Sequence, residues 1–479
     1  MERKAKIVAT IGPASADPHM LEQLIQAGMN VARLNFSHGT HEDHAARISA
    51  IRQISEKLDK PVGILQDLQG PKIRVGVLDP ALDLVEGQHV KLFAEGTELP
   101  ADDEKHIPVA FAELFDSVTV GERILLDDGH LSLQVVETYG KYLKARVLVG
   151  GKLSSHKGIN LPGTRLTIPG FTEKDRADLE FGMSQKVDFV AISFVRSAND
   201  VIAVRRAMDI IDEEGVRPLV IAKLEKPEAL DNLEEILHVA DGVMVARGDL
   251  GVEMSPERVP IAQKRIIQSA NLHGKIVITA TQMLDSMIVN PLPTRAEASD
   301  VANAVFDGTD AVMLSGETAS GAYPLESVQM MDRIVRSAEQ SFSEWGHENI
   351  PGAPTQDDAA SITRAARELA QDLNVAAIAV FTNSGRTAQL MSKARPRAPI
   401  LAITPIKETY QRMTLFWGAF PHLVSMSPTL RDMVNKADSH LMATGWVQPG
   451  QQVVVLSGFP VSSIRATNMA LLHNVGETL

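Results

Sequence analysis

Three charged residues at the ends of two apolar runs offer this chain its clearest chemistry. Lys223 and Glu225 close the run that begins at Leu219, and Asp249 follows the run Val243 to Ala246. Short apolar runs bounded by polar loops read as strands buried on both faces. Side chains alternate along a strand, so Lys223 and Glu225, two residues apart, point to the same side. Two carboxylates on adjacent strand ends can hold a hard divalent cation, and a lysine beside them can hold a charged substrate oxygen. That set of groups suits phosphate or enolate chemistry.

The elements that must position these residues recur along the chain. Apolar runs end in polar residues at Lys6–Thr10, Asn30–Asn35, Val62–Asp67, Val187–Ser193, Pro218–Glu225, Gly242–Asp249, Lys275–Thr281 and Asp310–Glu317. Helix-like stretches such as Met20–Ala27, Lys174–Met183 and Arg258–His273 follow them. Eight alternating βα units predict an α/β chain built on a TIM (β/α)8 barrel, with its active site at the carboxyl ends of the strands. A doubly wound open sheet alternates in the same way. The strand count and the polar residue on nearly every strand end favour the barrel.

One gap breaks the rhythm: about 120 residues separate Asp67 from Val187, where ~20–30 would suffice. Its texture is that of alternating strands, at Gln88–Ala94, Arg123–Leu126, Leu131–Glu137 and Leu143–Val149, with a hairpin signal at Asp127-Asp128-Gly129. The expectation is a small β-barrel lid over residues 71–169, inserted between barrel parts 1–70 and 170–345. Gly70-Pro71 and Pro169-Gly170 would be its hinges. A polar, Pro/Gly-rich stretch over Ser343–Asp358 then leads to runs at Val375–Phe381, Ile400–Thr404, His422–Val424 and Gln451–Leu456. These predict an open α/β domain over residues 356–479.

Composition narrows the function classes. Lys plus Arg number 47 against 60 Asp plus Glu, a net charge of −13, which argues against a general nucleic-acid or membrane-surface binder. No apolar stretch is long enough to span a bilayer and the N-terminus does not read as a signal peptide, so a soluble cytoplasmic protein is expected. With no cysteine, disulfides, thiolate catalysis and Cys-ligated metal sites are excluded.

Five blocks then resemble the pyruvate kinase family, in family order: Ile11-Gly-Pro-Ala-Ser15, Asn30-Val-Ala-Arg-Leu-Asn-Phe-Ser-His-Gly39, Met244-Val-Ala-Arg-Gly-Asp-Leu-Gly251, Thr279-Ala-Thr-Gln-Met-Leu284 and Met313-Leu-Ser-Gly-Glu-Thr318. The resemblance implies transfer of a phosphoryl group from phosphoenolpyruvate to ADP, giving pyruvate and ATP. It also implies a homotetramer and a C-terminal effector domain. By resemblance, Glu225 and Asp249 are ligands of Mg²⁺ or Mn²⁺, Lys223 neutralises the phosphoryl group and the enolate, and Arg33 grips phosphate. Pro13, Arg33, Asn35, His38, Arg74 and Lys174 line the nucleotide site. Ala246, Arg247, Gly248, Asp249 and Thr281 form the pocket for the substrate carboxylate, Arg33 and Lys223 completing the substrate contacts. Thr281 and Ser315 are candidates for a proton path through water, because neither hydroxyl has a pKa fit for direct donation near neutrality. Glu317, close by, is left between a catalytic and a structural part.

One departure is informative. Many family members read Asp-Thr-Lys-Gly-Pro-Glu where this chain reads Asp67-Leu-Gln-Gly-Pro-Lys72. Members with the glutamate usually require K⁺, held by oxygens matching Asn35, Ser37, Asp67 and the Leu68 carbonyl. Lys72 would put a tethered ammonium near them, so activity without K⁺ is expected. In the C-terminal domain, Thr382-Asn-Ser-Gly-Arg-Thr387 follows a strand and opens a helix, as a phosphate cradle does. The resemblance makes Thr382, Asn383, Ser384, Gly385, Arg386 and Thr387 a site for a phosphorylated sugar or AMP-type effector, with Arg465 as a second wall. Three features carry less than they suggest. His38, His41 and His44 lack an acidic partner in zincin order, Gly316–Gly321 lacks the P-loop lysine, and the 18 methionines read as core filler. A barrel lyase that uses phosphoenolpyruvate or pyruvate without a nucleotide remains the alternative, with a catalytically silent sensor behind it.

Overall fold

The computed structural model describes residues 3–97, 104–164, 170–212, 215, 217–346, 356–461 and 465–477. Eight parallel strands close into a barrel: Lys6–Thr10, Val31–Asn35, Gly63–Asp67, Phe189–Ile192, Leu219–Leu224, Gly242–Ala246, Ile276–Ala280 and Ala311–Leu314. Each pairs with its successor and the last pairs with the first. Strand parity sorts the side chains. Ile7, Ala32, Ile64, Val190, Val220, Val243, Val277 and Val312 face outward into the helix layer. Val8, Val31, Leu65, Phe189, Ile221, Met244, Ile278 and Met313 face inward and fill the barrel. Continuing the inward parity toward the carboxyl ends places Thr10, Arg33, Asp67, Lys223 and Glu225 on the barrel mouth. The same alternation therefore makes the apolar plug and the charged rim.

The other end of the barrel is closed by the C-terminal domain. Its sheet runs Ala419–Leu423, Ile400–Thr404, Ala377–Phe381, Gln452–Ser457 and Met469–Asn474, the last antiparallel. Ile378, Val380, Met413, Leu415 and Phe416 of that domain share one continuous buried cluster with the inward layer of the barrel. Gly63 is a point of close approach: a Cβ there would meet the Thr414 hydroxyl oxygen at 2.5 Å and, within the barrel, the Phe189 ring at 2.8 Å. Asp310, at the start of the eighth barrel strand, receives Lys393 at 2.5 Å and Arg395 at 2.7 Å. The three side chains are largely covered, and burial pushes the Lys393 ammonium down to about 8 despite Asp310 beside it.

Between the third and fourth barrel strands lies a six-stranded sheet, ordered Ile159–Asn160, Arg123–Leu126, Leu131–Thr138, Tyr142–Val149, His89–Ala94 and Lys105–Val109. Residues 73–76 hydrogen-bond to both edges of this sheet. Ile73 accepts from Ile159 and Val75 donates to Lys157, while Gly76 donates to Pro108. A curled sheet thus has its two edges bridged by one segment, with its own core of Val90, Leu92, Ile124, Leu133 and Val147. The hairpin at 127–129 is made by Asp127, Asp128 and Gly129, all at positive φ. Strand Lys105–Val109, parallel to His89–Ala94, was not foreseen. Pro169 of the expected hinge lies outside the described residues, as does most of the linker before the C-terminal domain.

Candidate active site

Arg33, Asp67, Lys223 and Glu225 come from the second, third and fifth strands and meet at the mouth of the barrel. Asp67 is the shared anchor. Its Oδ2 accepts from Arg33 Nε and lies 2.7 Å from Nη2, and its Oδ1 lies 3.2 Å from Lys223 Nζ. Lys223 also touches Glu225 Oε1 at 2.9 Å and donates to the Ser193 hydroxyl at 2.7 Å. Arg33 Nη1 donates to the Thr10 hydroxyl at 2.9 Å. Burial alone would lower the Lys223 pKa, yet Asp67 and Glu225 outweigh it and hold the group above its ordinary value, so it stays an ammonium. Burial would raise Asp67, but Lys223 and Arg33 bring it below the usual carboxylate range.

Glu225 behaves differently. Burial pushes its carboxyl up, Lys223 opposes that, and the charge of Asp249 pushes it up further. Its Oε2 accepts the Phe194 N–H at 2.7 Å. Asp249 comes from the first turn of helix Arg247–Glu253, which starts directly from the sixth strand with no side-chain cap on its free N–H groups. Gly248 lets that turn press against Thr281, where a Cβ would meet the threonine methyl at 2.7 Å. Thr281 itself is held at φ 70°, a left-handed conformation that a β-branched residue adopts at a cost. The Arg247 side chain turns away from the pocket. It donates to the carbonyls of Ala280 and Thr281 and pairs with Asp300, so it fixes the Thr281 turn from behind.

Glu317 has a structural part that sequence alone left open. One carboxylate oxygen accepts the Leu284 N–H at 3.1 Å and the other the Ser315 N–H at 2.7 Å, tying the loops after the seventh and eighth strands together. Burial raises its pKa and those N–H groups resist the rise. Ser315 stands just before a short helical turn beside it, Gly316–Ala319, and makes no side-chain cap bond to it.

Other expected site residues stand farther apart. Lys174 folds back on Asp178 at 2.5 Å and on the Phe36 carbonyl at 2.8 Å, with half its side chain exposed. Arg74 donates to the His156 carbonyl within the inserted sheet. Asn35 accepts the Ser37 N–H, His38 offers its carbonyl to the His44 ring, and Pro13 is exposed. Lys72 was expected near Asn35, Ser37 and Asp67. Its Nζ lies 3.9 Å from where Gly158 would carry a Cβ, with Asp128 on the same side of that glycine. The largest charge effects on Asp67 come from Lys223 and Arg33. Lys72 follows a chain turn at Gly70, φ 66°. His41 pairs with Asp178, and His44 stacks on Phe36. Among the described residues no group of three His, Asp or Glu is arranged to hold a metal, and no helix is long and apolar enough to cross a membrane.

In the C-terminal domain the loop after strand Ala377–Phe381 turns through Gly385 at φ 87°. The Gly385 N–H donates to the Thr382 hydroxyl, and Thr387 bonds Thr467 at 2.5 Å. The Thr409 hydroxyl donates to the Asn383 carbonyl, and the Ser384 hydroxyl accepts the Arg386 N–H. Arg386 reaches Asp357, and Arg465 is exposed.

A family model of the pyruvate kinase barrel domain matches residues 2–328, and one of the pyruvate kinase alpha/beta domain matches residues 360–473. The chain belongs to the pyruvate kinase family. It is 46% identical to the pyruvate kinase of Geobacillus stearothermophilus over 486 residues, covering all of this chain and 81% of that protein. Against the pyruvate kinases of Staphylococcus aureus (strain MRSA252) and Sporosarcina psychrophila the identities are 46% and 43%, again over the whole chain and 81% of each relative. Membership in the pyruvate kinase family makes the chain a phosphotransferase between phosphoenolpyruvate and ADP, and the nucleotide-free lyase is no longer needed. It also implies dependence on a divalent metal. The donors fit one: Glu225 and Asp249 are two carboxylates near enough that the charge of Asp249 raises the cost of ionising the buried Glu225, and both are hard oxygen ligands.

Proposed function

We propose that Lys223 is the cation that accompanies the phosphoryl group from phosphoenolpyruvate to ADP. Arg33 grips the phosphate, and Glu225 and Asp249 hold Mg²⁺ or Mn²⁺. The observation that supports this reading most is Lys223 itself, a buried ammonium anchored between Asp67 and Glu225 at the mouth of the barrel. Phosphoryl transfer needs positioning and charge stabilisation more than covalent help from the protein. Bound between the two carboxylates, a divalent ion would supply Lewis-acid neutralisation of phosphate and enolate oxygens. Arg33 and Lys223 face three carboxylates, so the cluster without metal is net negative and resists an anionic substrate. Substrate binding is therefore tied to that of the metal.

In the transfer, the bond from phosphorus to the enol oxygen breaks as one to a β-phosphate oxygen of ADP forms. The negative charge left on the enol oxygen falls to Lys223. The backbone N–H groups of residues 247–249 and the hydroxyl of Thr281 receive the substrate carboxylate, with Asp67 keeping both cations in register. A proton then reaches the methylene carbon through water held by Thr281 and Ser315, giving pyruvate. On the nucleotide side, Pro13, Asn35, His38, Arg74 and Lys174 are the binding set. Lys174 must swing off Asp178 to take part, which its half-exposed side chain permits.

We infer that K⁺ is not required. The carboxylate oxygens of Asp67 are engaged by Arg33 and Lys223, and the Leu68 carbonyl accepts the Ser193 hydroxyl at 2.8 Å. Lys72, at the root of the inserted sheet, would bring its charge to the site as that sheet closes. The loop Thr382–Thr387 is the proposed seat of a phosphorylated effector, and a cytoplasmic homotetramer is the proposed working form. The test is pyruvate formation from phosphoenolpyruvate, ADP and Mg²⁺ in buffer stripped of K⁺, then with K⁺ restored. Equal rates are expected. Activity only with K⁺ would refute the Lys72 argument, and pyruvate formed without ADP would refute the kinase.

A further inference from the structure

Glu253 is a buried carboxylate that the reaction above does not use. It lies at the end of helix Arg247–Glu253, four residues after Asp249 and so on the same face, one turn along. Its Oε1 accepts from Lys226 Nζ at 2.5 Å and from Asn160 Nδ2 at 3.0 Å. Lys226 is the residue directly after Glu225. Asn160 belongs to the inserted sheet, on its edge strand Ile159–Asn160. One carboxylate oxygen thus joins three elements: the helix carrying Asp249, the strand end carrying Glu225, and the lid. All three groups are removed from water, the Glu253 side chain being 1% exposed and that of Lys226 12%. Gly129 at the lid's hairpin tip also rests near Val252 of the same helix, so lid and helix meet at two points.

We propose that Glu253 is a positioning residue for the divalent-metal site. The Lys226–Glu253 pair is a strut between the two elements that bear Glu225 and Asp249, and it sets the separation of those carboxylates. Asn160 docks the lid on the same strut, so the lid is seated on the helix that carries Asp249. The proposal rests on the assignment of Glu225 and Asp249 as metal ligands. A hydrogen-bond partner behind a ligand commonly contributes about 10- to 100-fold to metal affinity. An ion pair kept for stability alone acts differently: breaking it lowers thermal stability and leaves the folded protein's metal affinity alone.

The experiment is a titration of the free enzyme with Mn²⁺, read by the loss of the free-ion paramagnetic resonance signal, with thermal melting and steady-state kinetics on the same samples. Glu253→Gln should weaken Mn²⁺ binding by roughly tenfold or more. Lys226→Gln tests the strut from its other end and serves if Glu253→Gln folds poorly. The double variant should lose no more than the worse single, and Glu253→Asp should fall between. Asn160→Ala should keep the Mn²⁺ affinity and lower kcat. Wild-type Mn²⁺ affinity in Glu253→Gln and Lys226→Gln, with weakened binding in Glu225→Gln, would overturn the strut and leave the metal assignment standing. Wild-type affinity in Glu225→Gln as well would overturn the assignment beneath it. An unchanged kcat in Asn160→Ala would overturn the lid arm.

Discussion

Replacing Lys223 with methionine keeps the aliphatic stem and deletes only the charge. The side chain is 12% exposed and sits between two carboxylates that are each 1% exposed, so its field is screened far less than at a surface. At an effective dielectric of about 20, a unit charge ~4 Å from the transferring phosphoryl group is worth about 4 kcal/mol. At 1.36 kcal/mol per decade, kcat should fall about 10³-fold. The KM for phosphoenolpyruvate should change far less, because Arg33 still holds the phosphate. Affinity for Mn²⁺ should not fall, since Lys223 competes for the Glu225 Oε1 that it touches at 2.9 Å. Stopped-flow or coupled assays of pyruvate formation, beside a Mn²⁺ titration, measure both quantities. A variant that keeps kcat within tenfold of the parent refutes the assignment. A variant that loses metal binding shows that the cluster has collapsed instead.

Glu317→Gln leaves one acceptor oxygen for two backbone N–H groups and sets an amide donor against the other, a cost of about 1–3 kcal/mol. Both the melting temperature and the rate at which pyruvate methyl protons exchange with D₂O should drop, and unchanged exchange would detach Glu317 from the Thr281 and Ser315 loops. Burial and the charge of His440 push the His422 imidazole down to about 4, with Asp59 opposing weakly. Between that value and the ordinary 6.5 the unfolded chain holds more protons than the folded one, so stability falls as pH is lowered through this window. The loss reaches about 3 kcal/mol. His422→Asn should flatten the acid limb of melting temperature against pH, and an unaltered limb would discard the assignment.

The barrel was legible because its strands are buried on both faces. Lys6–Thr10 and, in the C-terminal sheet, Ile400–Thr404 are buried along their whole length around an apolar centre, and their bounds follow from the sequence. Strands Lys105–Val109 and Met469–Asn474 escaped because each is partly exposed and neither alternates strongly, and the first carries a proline. Parity also told which charged residues share a side, which is why Lys223 and Glu225 could be paired. Parity stops at Ala246: Arg247 opens a helix, and its buttressing of the Thr281 turn had to be seen in the structure. What parity cannot supply is contact across the barrel. Asp67 meets Lys223, and Glu317 meets Leu284, only after the sheet has closed. The Lys72 side chain belongs to a segment whose course depends on how the inserted sheet sits, and residue type alone does not report that.

The buried cluster that runs from the barrel interior into the C-terminal sheet has a mechanical meaning. In this chain the floor of the catalytic cylinder is another domain's core, bolted on by Lys393 and Arg395 at Asp310 and seated where Gly63 leaves room. Cutting the polypeptide after the barrel would leave a bottomless cylinder with its inner apolar layer open to water, not a smaller enzyme. For the same reason, a disturbance at the Thr382–Thr387 loop has no hinge to cross. Helix Arg386–Lys393 begins in that loop and ends on the bolt. That bolt sits at the base of the eighth strand, whose opposite end leads into Ser315.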